Sequence, residues 1–328
     1  NKQCTIVHLC QLSLRALLHV RKQDYYAMEY ISRMMNSIAI PFLALITCAS
    51  TGSYDFNGKI ALVTGGNRGI GLGITTQLLR NGVKGVTMVS VNETRGSKAV
   101  RLLTEKFGSG KVIWLRADVS DERELEEAFN ASIAHWGALD IVVNNAGVSD
   151  EPHPVRLINV NSVGVVQGTI LGFRYMSVAK GGRGGVVVNV ASIYGIDPSL
   201  IIPVYSGTKA FVIGLGRSFG SQLYYNHNKV RVMTVCPGVT NTDLISDESI
   251  MTSTTNEFLP GLTEIGYVGS KFLYKQTPDN VGKAVVVMLN NGDSGSVWVS
   301  EYDQPPYEVE FPDRKSMKKS SFIDQLFD

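Results

Sequence analysis

The chain has 328 residues, 44% of them apolar, which is enough for a large core and excludes an intrinsically disordered protein. Its 31 basic and 29 acidic side chains nearly cancel, to a net charge of +2, and no long like-charge block occurs, so the basic surface of a nucleic-acid binder is not expected. Four cysteines (Cys4, Cys10, Cys48 and Cys236) and five scattered histidines form no ligand cluster, so neither a disulfide framework nor a metal site is expected.

In chain order, residues 1–54 stand apart as an N-terminal extension. The apolar run from Ile38 to Ala49 is shorter than the roughly 20 residues a stable membrane span needs. It fits the hydrophobic region of a secretory signal, with small residues at Ala49, Ser50 and Gly52 for cleavage. The competing readings are a helix packed on the domain, or translation beginning at Met34 or Met35. A catalytic domain is expected over residues 55–304, followed by a tail over 305–328.

The domain opens with strand, glycine turn and helix. Ile60 to Val63 is a short apolar run suited to a strand buried on both faces. Gly65, Gly69 and Gly71 follow, then Ile74, Leu78 and Leu79 at helical spacing, with Asn81-Gly82 as a stop. Glycines at such a turn let backbone N–H groups approach a pyrophosphate, and the helix N-terminus adds a favourable field. "VTMVSV" and "KVIWL" read as strands two and three, with "TRGSKAVRLLTEKFG" as the helix between them. Asp118 ends the third strand, and a helix starts near Asp121. "LDIVVNNAG" is a fourth strand closing in Asn144, Asn145, Ala146 and Gly147. "GGVVVNVASIYG" is a fifth, ending at Ser192, and "VRVMTVCPG" a sixth, ending at Pro237-Gly238. The stretch "GSVWVSEYDQPPYEV" supplies the last strand and the start of the tail. Strands alternating with helices predict an α/β fold, a single Rossmann-type doubly wound parallel sheet with helices on both faces and ligands at the strand carboxyl ends. Every polar or glycine-rich motif above falls at such an end.

"TGGNRGIG", "NNAG", Ser192 and "YSGTK", in this order and spacing, resemble the short-chain dehydrogenase/reductase family over about Tyr54 to Glu301. "FRYMSVAKGGRGGVVVNVASIYG" and "IPVYSGTKAFVIGLGRS" are similar to its 15-hydroxyprostaglandin dehydrogenase and insect alcohol dehydrogenase group. The resemblance implies an NAD(P)-dependent oxidoreductase. Tyr205 would exchange a proton with the substrate oxygen, Ser192 would hydrogen-bond that oxygen, and Lys209 would hold the nicotinamide ribose. Lys209, four residues on and therefore on the same helix face, is expected with the oxidised nicotinamide to lower the tyrosine pKa. Asn161 matches the family asparagine that holds a water in a proton relay to the lysine. For the dinucleotide, Asn67, Arg68, Ile70 and Gly71 would line the phosphates, Asp118 and Val119 the adenine, and Asn145, Ala146 and Gly147 the adenosine ribose. Asn145 is also expected to knit the edge of strand four to a neighbouring helix. Pro237, Val239 and Thr242 would wrap the carboxamide. Homodimers or homotetramers are usual in the family, through long helices that here would begin near Arg156 and Val204.

The cofactor reading turns on charge. NAD-dependent members place an aspartate at the end of strand two, where this chain has Ser90, and Arg68 stands where NADP users often keep a basic residue. Glu93 could supply the missing acid. The balance favours NADP(H) over NAD(H) narrowly. A mobile substrate cap is expected over residues 243–275, its apolar lining including Leu244 and Phe258 and suited to a lipophilic alcohol or ketone. Ile202 replaces the glutamine with which prostaglandin dehydrogenase contacts its substrate, which argues for a less polar secondary alcohol. The rival reading is a dinucleotide-binding sensor or scaffold without turnover. A cytoplasmic location follows from the cofactor supply, and a secretory or ER location from the signal-like segment 38–50.

Overall fold

The computed structural model describes residues 53–318, and the compact unit carrying the sheet begins at Ser53. The signal-like segment 38–50 lies outside the described residues. The sheet has eight strands in the order β3-β2-β1-β4-β5-β6-β7-β8. They are β1 Ile60–Thr64, β2 Gly85–Ser90, β3 Val112–Arg116, β4 Ile141–Asn144, β5 Gly185–Val190, β6 Val230–Pro237, β7 Val297–Ser300 and β8 Tyr307–Glu308. All neighbours are parallel except β7 and β8, which form an antiparallel hairpin. The boundary expected at residue 304 therefore falls inside this hairpin, and the sheet continues into the tail.

Residue alternation along each strand feeds two layers. Ala61 and Val63 face a core with Ile74, Leu78, Val281 and Val285, supplied by α1 (Gly69–Arg80) and α10 (Pro278–Asn291), while α2 (Glu93–Phe107) adds Ala99 and Leu103. Leu62 faces the opposite core with Leu125, Phe129 and Leu171, from α3 (Glu122–Trp136) and α5 (Gly164–Met176). Such period-two burial on both sides is what a covered parallel sheet requires. Helix α1 lies so close to α10 that a Cβ on Gly73 would stand 2.3 Å from the Pro278 carbonyl oxygen.

The chain order reverses between β1 and β4, because the connection after β3 returns across β1. That switch point opens a crevice outside the carboxyl ends of both strands. α4 (Pro154–Ile158) runs into one π-helical turn, Asn159–Val163, before α5 begins. α6 spans Pro203–Phe219, close to the expected start at Val204, and α7 spans Gln222–Asn228. Over the crevice, the expected cap contains two short helices, α8 (Asp247–Ser253) and α9 (Leu262–Ser270). Among the described residues no helix is long and apolar enough to cross a membrane.

Candidate active site

The glycine turn leaves β1 through Gly65 at φ +64° and enters α1 at Gly69, φ +49°, both in the left-handed region where a side chain is strained. The first turn of α1 has no side-chain cap and no acidic residue, so its backbone N–H groups are open to an anion. They face a cleft of about 480 Å³. Its walls include Gly65, Asn67, Arg68, Gly69, Ile70, Ser90, Asp118, Val119, Asn145, Ala146, Gly147 and Thr242, which are most of the residues expected at a dinucleotide. Gly71 is not on this wall. It is buried beneath the turn, where a Cβ would meet the Gly65 carbonyl oxygen at 2.2 Å, so it serves close packing. Pro237 and Val239 line the adjoining cavity.

The two asparagines that close β4 divide their work differently from the expectation. Asn145 Nδ2 donates to the carbonyl oxygens of Thr64 (2.8 Å) and Gly65 (3.3 Å), tying β4 to the end of β1 rather than to a helix. It is Asn144 that reaches a helix, donating to Thr169 Oγ1 on α5 as well as to Asn189 Oδ1 on β5.

At the end of β2, the Ser90 hydroxyl accepts a hydrogen bond from the Trp114 indole at 2.8 Å. Arg68 and Arg95 both reach the Asp243 carboxylate, at 3.1 and 3.4 Å, and all three side chains line the cleft. Glu93, offered above as a substitute acid, is exposed on the first turn of α2 and is not on the cleft wall. Arg95 escaped notice because its place depends on the Asn92 cap, whose side chain accepts from the Arg95 N–H and turns the helix start back toward β2.

Beyond this cleft lies a cavity of about 440 Å³ that holds Ser192, Tyr205 and Lys209 together. Ser192 follows β5 as an extended residue, accepts from the Tyr194 N–H, and acts to lower the pKa of the Tyr205 phenol. Tyr205, only 9% exposed, and Lys209, 3% exposed, sit on the same face of α6, with the ammonium 5.5 Å from the ring centroid. Lys209 Nζ donates to the Val190 carbonyl oxygen at 3.0 Å. Burial dominates the charge states. It pushes the phenol up to about 12 against the lowering effect of Ser192, and pulls Lys209 down to about 8. The expected lowering of the tyrosine is thus not achieved by Lys209 within the protein, and the phenol is held protonated at neutral pH.

Asn161 lies in the π-helical turn, fully buried. Its Oδ1 accepts from the Val148 N–H and its Nδ2 donates to the Val148 carbonyl oxygen, both at 2.8 Å, pinning the loop after β4. The same Oδ1 and Lys209 Nζ flank Gly147, 3.3 and 3.6 Å from where a Cβ would stand.

The remaining cavity wall is largely aliphatic: Ile201, Ile202, Leu244, Ile245, Ile250 and Ile265. Ile202 and Leu244, two of the residues expected at the substrate, are thus on this wall. Phe258 is not: it is 83% exposed and off the cavity wall. Ile250 on α8 and Ile265 on α9 reach the cavity wall, although Ile265 stays 56% exposed, while Phe258 lies on the loop between α8 and α9 and faces out. Tyr194, in the 3-10 turn after Ser192, and Ile201, just before α6, line the cavity without having been singled out.

Residues 59–252 match the short chain dehydrogenase family. The 15-hydroxyprostaglandin dehydrogenase (NAD(+)) of Rattus norvegicus is 40% identical over 189 residues, covering 58% of this chain and 71% of that protein. Alcohol dehydrogenase 2 of Ceratitis capitata is 29% identical over 245 residues, 74% of this chain and 92% of its own. Among solved structures, a dehydrogenase/reductase from Sinorhizobium meliloti 1021 superposes with a TM-score of 0.61 at 23% identity, over 76% of this chain and 96% of that one. At that identity the likeness is one of fold.

Proposed function

The chain belongs to the short-chain dehydrogenase family, and from that premise we propose that it interconverts a lipophilic secondary alcohol and its ketone, using NADP(H) in preference to NAD(H). The observation that carries the reading is the Ser192, Tyr205 and Lys209 set opening onto an aliphatic cavity that shares a wall with the glycine-turn cleft.

The uncapped N-terminus of α1, without an acid in its first turn, fits a dinucleotide pyrophosphate. When bound, the nicotinamide ring gives or takes the hydride. The chain's own residues handle the oxygen and its proton. On this reading Ser192, whose oxygen accepts from the Tyr194 N–H, turns its hydroxyl hydrogen from the Tyr205 phenol to the substrate oxygen. Tyr205, protonated at neutral pH, donates its proton to a ketone oxygen; in the reverse direction it first gives that proton up, and the phenolate then takes the alcohol's. On this reading Lys209, which with Asn161 Oδ1 flanks Gly147, passes that proton on toward solvent. The Ile201, Ile202 and Leu244 walls favour a substrate with little polarity beyond its reacting oxygen.

The preference for NADP(H) rests on charge in this chain's cleft, since the rat relative is named for NAD(+). Ser90 puts no carboxylate at the end of β2, and Arg68 and Arg95, which share Asp243 as partner, line the same cleft and would turn to an added phosphate. Exposed Val155, Ile158 and Ile170 on α4 and α5, with Phe211 on α6, support pairing of copies through these helices as a dimer or tetramer. The reading carries a cytoplasmic location, where the dinucleotide pool lies.

The test is fluorescence transfer from Trp114, Trp136 and Trp298 to NADPH and NADH, followed by turnover of 2-decanone and 2-decanol. Tighter NADPH binding with ketone reduction is expected. Tighter NADH binding would overturn the cofactor preference. Binding without turnover across lipophilic ketones and alcohols would establish the sensor reading instead.

A further inference from the structure

We propose that Glu151 is a positioning residue for Tyr205, tying the N-terminus of α6 to the cap; the proposal rests on the catalytic reading of that tyrosine. Helix α6 starts without a local cap. Its N-cap residue is Ile202, which has no side-chain acceptor, and its first residue, Pro203, has no N–H. The first donors needing partners are the N–H groups of Val204 and Tyr205. Glu151, 54 positions before Tyr205, supplies both: Oε1 accepts from Tyr205 at 2.8 Å and Oε2 from Val204 at 3.1 Å.

The arrangement explains why the cap position is apolar. Ile202 is on the cavity wall, so a serine or aspartate there would put a polar group against the substrate, and the capping oxygen comes from elsewhere. Glu151 is 6% exposed, and among the described residues no lysine or arginine pairs with it. The positive end of α6 is its counter-charge. Its own N–H donates to the Ser253 carbonyl oxygen at 2.9 Å, at the last residue of α8, and Ser253 and Thr254 line the cavity. One residue thus fixes both the helix that presents the phenol and the wall that presents the substrate. Glu151 is not on the cavity wall, so it acts through Tyr205.

The test compares wild type, E151Q and E151A in 2-decanone reduction and in NADPH binding. The amide of E151Q keeps one acceptor and loses the second, and E151A loses both. Misplacement of a reacting group by about 1 Å costs up to roughly a hundredfold in rate. We therefore expect kcat to fall about tenfold in E151Q and about a hundredfold in E151A, with the NADPH dissociation constant unchanged. Wild-type kcat in a folded E151Q, or a loss of NADPH affinity equal to the loss of kcat, would overturn the proposal; E151Q decides it if E151A does not fold. Should the wild type reduce no ketone, the catalytic reading fails by itself. Glu151 is then judged by hydrogen exchange in E151Q: faster exchange at both 203–206 and 248–254 supports the tie, and no change at either overturns it.

Discussion

Replacing Lys209 by methionine should make the protein more stable at neutral pH while abolishing its turnover. The ammonium is buried and pulled from its ordinary 10.5 down to about 8. At about 1.4 kcal/mol per pH unit, holding it charged in the fold costs about 3 kcal/mol. Methionine fills much the same volume but forfeits the charged hydrogen bond to the Val190 carbonyl oxygen, worth about 1.5 kcal/mol. The net gain is about 1.5 kcal/mol, or roughly 3–6 °C in melting temperature for a domain of this size. The gain has a definite pH dependence. Below pH 8 the lysine is charged both folded and unfolded, so the cost of burial is complete. Between 8 and 10.5 the folded protein sheds the proton while the unfolded chain keeps it, and rising pH relieves the wild type. At pH 9.5 the advantage of K209M should have shrunk by about 2 kcal/mol, leaving none. Thermal melts of both proteins at pH 7 and 9.5 measure this directly. A K209M that melts below wild type at pH 7, or that gains equally at both pH values, would refute the argument.

Y205F should lose turnover by about a thousandfold while binding NADPH as before, because the phenol moves a proton and the ring alone keeps the packing; equal losses of binding and rate would contradict this. S90D returns a carboxylate to the end of β2, where it can still accept from Trp114, and should move the NADPH-to-NADH affinity ratio about tenfold or more toward NADH; an unchanged ratio would place cofactor choice elsewhere. D140A removes the buried acceptor of the Ile60 N–H and of Arg183 at the base of the sheet. Chemical denaturation should show a loss of about 2 kcal/mol without any change in NADPH affinity, and a loss within error of zero would dismiss the assignment.

The parallel sheet was legible because strands such as Ile60–Thr64 and Ile141–Asn144 are buried on both faces and carry uninterrupted apolar runs. The Ser192, Tyr205 and Lys209 set was legible because its members sit at a strand end and a helix start with fixed spacing. What escaped depends on distance in space. No local pattern announces that Glu151 caps a helix 54 residues away. That the Gly65 carbonyl oxygen overlies Gly71, so that close packing also requires a glycine there, was not readable from the turn motif. Phe258 looked like cavity lining because hydrophobicity alone does not say which side of a short cap segment faces in. The burial that raises the Tyr205 phenol was likewise not readable, although the proximity of Lys209 was.

The cleft under the glycine turn and the aliphatic cavity have Ile70, Asn145, Thr242 and Leu244 in common. Each chamber therefore lacks a complete partition until the other is filled, and a molecule seated in the first becomes part of the second's floor. Initial-rate kinetics should reflect this as intersecting rather than parallel lines, since neither reactant has to leave before the other enters. Whichever ligand reaches those four side chains first remodels the affinity felt by the next, so dissociation constants measured for one reactant alone will differ from those in the ternary complex.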